Sequence, residues 1–168
     1  IMMPILPLGG DTARLLSALS FSAKKHRRQR RKDPEGSPYI NHPIEVARIL
    51  AEVGQVVDPQ ILIAAVLHDT LEDTETTPSE LDKLFGPEVR RLVEEVTDDK
   101  KLEKSIRKEL QVRKVAGLSP EAKMIRIADK ISNVHDVSHS PPTQWEASTR
   151  REYFDWTERV VMGCRGVN

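Results

Sequence analysis

From Ile61 to Leu67 every side chain is apolar, and the run then ends in His68-Asp69-Thr70-Leu71-Glu72-Asp73. A segment without a polar face cannot lie on a surface. Residues 61–73, entered after Asp58-Pro59, are therefore predicted to form one buried helix at the centre of an all-α bundle. The end of that helix sets the constraint. A histidine and three carboxylates are costly to bury unless they are paired, hydrogen-bonded or bound to a metal. Ligand-type residues at the mouth of a buried helix therefore point to a metal site.

The rest of the chain reads as helices joined by short turns, with no period-2 apolar alternation that would mark strands. A first helix is expected over residues 12–31, ended by Asp33-Pro34-Glu35-Gly36-Ser37-Pro38. Asn41-His42-Pro43 opens a second, with Pro43 at a position where its missing N–H costs nothing. Its apolar stripe is read as Ile44, Ala47, Ile49 and Leu50. Thr77-Pro78-Ser79-Glu80 has capping-box spacing, and Gly86-Pro87 ends the short helix that follows. Further helices are expected over residues 88–96, 102–115, 120–137 and 145–162, with Ile125, Ala128, Ile131 and Val134 of the 120–137 segment facing the core. Residues 1–11 are read as a tail too poor in flanking charge to be a signal peptide. Residues 12–168 are read as a single domain.

No apolar stretch approaches the roughly 18 residues needed to span a membrane. Cys164 is the only cysteine, which excludes an internal disulfide and suits a reducing, cytoplasmic setting. Basic and acidic residues balance at 26 each, so net charge gives no argument for nucleic acid. One concentrated basic run, Lys24-Lys25-His26-Arg27-Arg28-Gln29-Arg30-Arg31-Lys32, lacks the aromatic interleaving of a base-stacking surface.

On an ideal helix His68, Asp69, Glu72 and Asp73 share one arc of about 140°. An ion held by His68 and Asp69 needs ligands from other segments. His42, at a helix start, and Asp129, which interrupts the apolar Met124-Ile125-Arg126-Ile127-Ala128, are the candidates. Two imidazoles and two carboxylates without sulfur suit manganese, iron(II), zinc or a similar divalent ion.

A His, a His-Asp pair and a distant Asp in this order resemble the HD-domain metal-dependent phosphohydrolases. Longer strings narrow the likeness: Arg31-Lys32-Asp33-Pro34-Glu35-Gly36-Ser37-Pro38-Tyr39-Ile40-Asn41-His42-Pro43, His68-Asp69-Thr70-Leu71-Glu72-Asp73-Thr74, Glu95-Val96-Thr97-Asp98-Asp99-Lys100, and Ala128-Asp129-Lys130-Ile131-Ser132-Asn133. Together they resemble the small alarmone hydrolases, the SpoT-like hydrolase domain standing alone, including the metazoan type. The resemblance implies an HD-domain helical bundle and one bound ion, usually manganese. It implies hydrolysis of the 3′-pyrophosphate of guanosine bis-diphosphate alarmones (ppGpp to GDP plus pyrophosphate). His42, His68, Asp69 and Asp129 match the family's metal ligands, and Glu72 and Asp73 its catalytic pair. Arg31, Lys32, Asn133 and Tyr153 match substrate-binding positions. Ser132 stands where relatives often carry a larger residue, and Thr149 where some carry Arg.

Two rivals share the metal chemistry or the fold. One is a phosphohydrolase acting on another phosphorylated nucleotide, such as the 2′-phosphate of NADPH or a nucleoside monophosphate. The other is a catalytically silent nucleotide sensor, which would have no use for Glu72-Asp73. His26, His135 and His139 are read as surface residues, Trp145 as core, and Asp98 and Asp99 as helix caps.

Overall fold

The computed structural model describes residues 9–168; residues 1–8, most of the expected tail, lie outside the described residues. Nine α-helices occur among the described residues and no strand: α1 (Asp11–Lys25), α2 (Asn41–Glu52), α3 (Pro59–Leu67), α4 (Thr70–Asp73), α5 (Pro78–Phe85), α6 (Pro87–Glu95), α7 (Lys104–Val115), α8 (Pro120–His139) and α9 (Ala147–Met162). The all-α expectation holds.

Helix α3 is the hub. It packs against α1, α2, α6 and α8, and Ile63, Ala64, Ala65, Val66 and Leu67 are all essentially inaccessible. Its neighbours contribute Ala18, Val46, Leu81, Val89, Leu92, Val93 and Ile125 to the same core. A second, smaller cluster of Val115, Val160 and Cys164 joins α7 to α9, with Ile127 of α8 and Trp156 packed on it.

One starting device recurs. Asp58, Thr77 and Ser119 each accept a backbone N–H from two or three residues ahead, and each is followed by proline at the first helical position. The cap satisfies a donor that the helix cannot, and proline presents none there.

Five expectations are corrected. Helix α1 stops at Lys25, not near Arg31. His26 turns inward and is buried, not on the surface, and the chain folds back through Arg31 N to Ser37 O (2.8 Å) and Tyr39 N to Gln29 O (3.2 Å). The segment 61–73 is not one helix but breaks at His68–Asp69. On α2 the inward face is Pro43, Val46, Ile49 and Leu50, leaving Ile44 44% exposed. On α8 Ile125 and Ala128 face inward as expected, joined by Ala122, Asp129 and Ser132, but Ile131 is 45% exposed. On α8, reading hydrophobicity alone missed that Asp129 and Ser132 occupy inward positions.

Gly86 joins α5 to α6 at φ 95° and ψ 167°, a region that disfavours any side chain, and an added Cβ would touch nothing. Gly86→Ala is therefore expected to destabilise by about 1–3 kcal/mol through backbone strain alone. Urea denaturation with an unchanged m-value checks this; wild-type stability would contradict it.

Candidate active site

The break in α3 is made by side chains that take over backbone bonds. Ala65 O accepts from His68 Nδ1 at 2.7 Å, and Leu67 O accepts from Thr70 Oγ1 at 2.7 Å. Carbonyls capped this way no longer continue the helix ladder. Asp69 adopts φ −97° and ψ −2°, and α4 restarts one residue later. The bend brings His68 and Asp69 to the mouth of the core without a fully extended loop.

His42 arrives from the first turn of α2, where its Nδ1 lies 3.0 Å from Ser132 Oγ. Asp129 arrives from the inward face of α8. The four groups meet. His42 Nε2 is 3.1 Å from Asp129 Oδ1 and 3.8 Å from Asp69 Oδ2. His68 Nε2 is 3.0 Å from Asp69 Oδ2 and 3.7 Å from Asp129 Oδ1. One ligand atom each of His42, His68 and Asp69 falls within a mutual 4.8 Å; Asp129 touches both imidazoles but stands outside that closest trio.

The donor set fits a divalent ion. With Nδ1 donating to Ala65 O, His68 points Nε2 inward at the carboxylates, where Asp69 Oδ2 lies 3.0 Å away without the alignment of a hydrogen bond. Fixing one ring nitrogen on a carbonyl while the other faces carboxylates is the usual support of a metal-bound histidine. Electrostatics agree. Burial disfavours charge on Asp69, but His68 and His42 outweigh it and hold the carboxyl well below its usual range. Burial also opposes charge on Asp129, where Lys130, 3.3 Å from Oδ2, and the two imidazoles outweigh it. Burial opposes protonation of His68, yet Asp69 and Asp129 raise its affinity for a proton. Two carboxylates held ionised beside two imidazole nitrogens make a donor set for a divalent cation.

Glu72 and Asp73 lie beyond this centre on α4. Glu72 Oε1 accepts from Asp98 N at 2.8 Å, and burial raises its pKa to about 7. Asp73 Oδ2 accepts from Gln29 Nε2 at 2.8 Å, and Oδ1 is paired with Lys100. All of these groups except the deeply set His68 line one cavity of about 440 Å³.

The substrate candidates line the same cavity. Arg31 is already engaged, donating to Asn133 Oδ1 at 3.0 Å and Asp136 Oδ2 at 2.7 Å. Asn133 in turn donates to Asp129 Oδ1 at 2.7 Å. Lys32 is exposed at the rim. Tyr153 packs between Trp145 and Trp156, with ring centroids 5.4 and 5.5 Å away, and its burial pushes the phenol pKa up.

Several residues escaped the sequence reading. Tyr39 donates to Asp69 Oδ2 at 2.6 Å; its place three residues before His42 was a usable signal. Lys104, Arg107 and Lys108 of α7, to which no site role was assigned, line the cavity. Trp145, expected in the core, lines the cavity and lies 5.8 Å under Lys104 Nζ. Asp98 is no simple cap: its carboxylate accepts from Gln111 at 2.6 Å and faces Arg126 at 3.6 Å. Asp99 does cap a turn, at Lys101 N. His135 and His139 stack with each other on the surface, as expected of exposed residues.

Comparison with known proteins gives a consistent result. A family model described as HD domain matches residues 18–155. The human guanosine-3′,5′-bis(diphosphate) 3′-pyrophosphohydrolase MESH1 is 53% identical over 161 residues, covering 96% of this chain and 90% of the relative. Its Drosophila melanogaster counterpart is 46% identical, with 94% and 88% covered. A solved structure described as a metazoan ortholog of SpoT that hydrolyzes ppGpp is 44% identical and superposes with a TM-score of 0.91, covering 97% of this chain and 90% of that one.

Glu72 gives a test that needs no substrate. Its pKa of about 7 lies above the ordinary 4.5, so the folded metal-free protein keeps a proton that the unfolded chain releases. The resulting stabilisation is full below about pH 4.5 and is lost as pH rises through about 7. Glu72→Gln should therefore be more stable than wild type at about pH 8, by about 2 kcal/mol after allowing for partial exposure, and equal to it near pH 4. Thermal melts across this range decide it; a pH-independent difference would show that the Glu72 charge is not the cost.

Proposed function

The chain belongs to the HD-domain family, and on that premise we propose that it is a metal-dependent guanosine-3′,5′-bis(diphosphate) 3′-pyrophosphohydrolase, converting ppGpp to GDP and pyrophosphate. The observation that carries this reading is the shared cavity: a His/Asp cation centre at one end, a carboxylate pair beside it, and a basic, aromatic wall opposite. Relatives that bear this activity in their names align along nearly the whole chain. The reading takes residues 12–168 as one HD hydrolase domain, and places it in the cytoplasm on the strength of a single, buried, free cysteine.

His42, His68, Asp69 and Asp129 would hold one divalent ion; the mixed nitrogen and oxygen set suits manganese, iron(II) or zinc, and the family resemblance selects manganese. Such an ion, when bound, makes hydroxide accessible near neutral pH and draws charge from a phosphoryl oxygen. The chain's own groups do the rest. Tyr39 and Asn133 orient Asp69 and Asp129 through hydrogen bonds of 2.6 and 2.7 Å. Glu72, poised at about 7, can take up a proton and return it at working pH. Asp73 orients the water that attacks phosphorus. Arg31 offers a flat, permanently charged face for a purine or a fork for phosphate, and Lys32 a point charge. Lys104 and Lys108 oppose the charge of the remaining diphosphate. Tyr153 closes the nucleoside side of the cavity. Water takes the place of the ribose 3′-oxygen on phosphorus, and that oxygen leaves with a proton.

Purified protein with manganese should release pyrophosphate from ppGpp, and Asp73→Asn should lower kcat by at least about 100-fold. NADPH and nucleoside monophosphates belong in the same panel; turnover of one of these in place of ppGpp would reassign the substrate. Tight ppGpp binding without turnover under any divalent metal would mark a sensor. Separately, Asp129→Ala should abolish stoichiometric metal retention measured by elemental analysis; full retention would remove Asp129 from the ligand set.

A further inference from the structure

The catalytic reading leaves His26 unused, yet it is one of the most deeply buried polar residues in the chain, 2% exposed. It caps the end of α1, and its Nδ1 lies 2.7 Å from Gln29 Oε1. Gln29 Nε2 then donates to Asp73 Oδ2 at 2.8 Å, linking segments 44 residues apart. Chemistry fixes the direction of this chain. A carboxylate accepts, so Gln29 turns its NH₂ to Asp73 and its carbonyl to His26. A carbonyl also accepts, so His26 carries its hydrogen on Nδ1.

That leaves Nε2 as the lone-pair nitrogen. It is buried and has no partner. A hydrogen there would be an unsatisfied buried donor, which costs free energy without return. The pocket therefore holds the Nδ1–H tautomer, and the tautomer in turn stops the Gln29 amide from flipping. Tyr39, whose ring lies 4.9 Å from the His26 ring at a 34° tilt, closes the pocket and carries its hydroxyl to Asp69.

We propose that Gln29, locked by His26, is a positioning residue for Asp73: its amide pins Oδ2 and leaves Oδ1, the oxygen met by Lys100 at the cavity, to orient the attacking water. The proposal rests on the reading of Asp73 as the group that handles water. Without the pin, the carboxylate is held only through the solvent-facing Lys100, and its working oxygen is correctly placed for a smaller share of the time. The loss should fall on the chemical step, because Gln29, although it lines the cavity, commits its NH₂ to Asp73 and its carbonyl to His26.

Gln29→Met keeps size and removes the donor. It should lower kcat about 10–100-fold, with KM within about threefold of wild type. In an Asp73→Asn background the same change should cost nothing further. His26→Leu should mimic it, whereas His26→Asn, which can return an N–H to the Nδ1 position, should restore most of kcat. Equal kcat in Gln29→Met and wild type, additive losses with Asp73→Asn, or no difference between His26→Asn and His26→Leu would each overturn the proposal. Long-range ¹H–¹⁵N spectra of the metal-free wild type supply a readout independent of turnover: His26 should show hydrogen on Nδ1 only, and an Nε2–H signal overturns the lock. If the wild type turns over no nucleotide in the panel, the proposal falls with the functional reading, while the spectra still report whether the lock itself exists.

Discussion

Two imidazoles and two carboxylates are pressed together at the open end of the most buried helix in the protein, and everything else is arranged around making that tolerable. Neither pair could be buried alone. Asp69 and Asp129 stay charged because His42, His68 and Lys130 surround them, and the histidines accept burial because the carboxylates face them. The second layer exists to keep this compensation in register. Ser132, Ala65 O, Tyr39 and Asn133 each spend a hydrogen bond on fixing one member of the set.

The break between α3 and α4 follows from the same requirement. A continuous helix would have kept His68 and Asp69 about 100° apart around one axis. The bend instead lets adjacent residues approach a common point while Glu72 and Asp73 begin a new turn beside it. The two carboxylates of that turn are then supported from opposite sides. Asp98, held by Gln111 and facing Arg126, presents its backbone N–H to Glu72, and the His26–Gln29 link reaches Asp73.

Much of this was readable in the sequence because the signals were local. Proline after Asp, Thr or Ser marked helix starts, and Gly86-Pro87 marked a boundary. His42, His68, Asp69 and Asp129 stood out as ligand-type residues against apolar surroundings. What was not readable depended on tertiary context. Ile131 looks like core and is not, because Asp129 and Ser132 take the inward face of α8. His26 looks like part of a basic surface run and is buried, because the chain turns at Lys25 to deliver Arg31 and Lys32 to the cavity. The charges of α7 are ambiguous until α9 holds that helix over the mouth. No pattern of spacing encodes which of several solvated lysines will meet a pocket.

The two cores divide the cavity between them. The cation centre is anchored in the large cluster around α3, whereas Lys104, Lys108, Tyr153 and Trp156 ride on helices whose own cluster is Val115, Val160 and Cys164 with a few partly buried neighbours. Fewer buried contacts mean a lower free energy of local opening, so α7 and α9 are expected to exchange their amides before α3 does. The wall that carries Lys104, Lys108, Tyr153 and Trp156 is thus the softer side of the cavity, and the compensated charges at the end of α3 the firmer one.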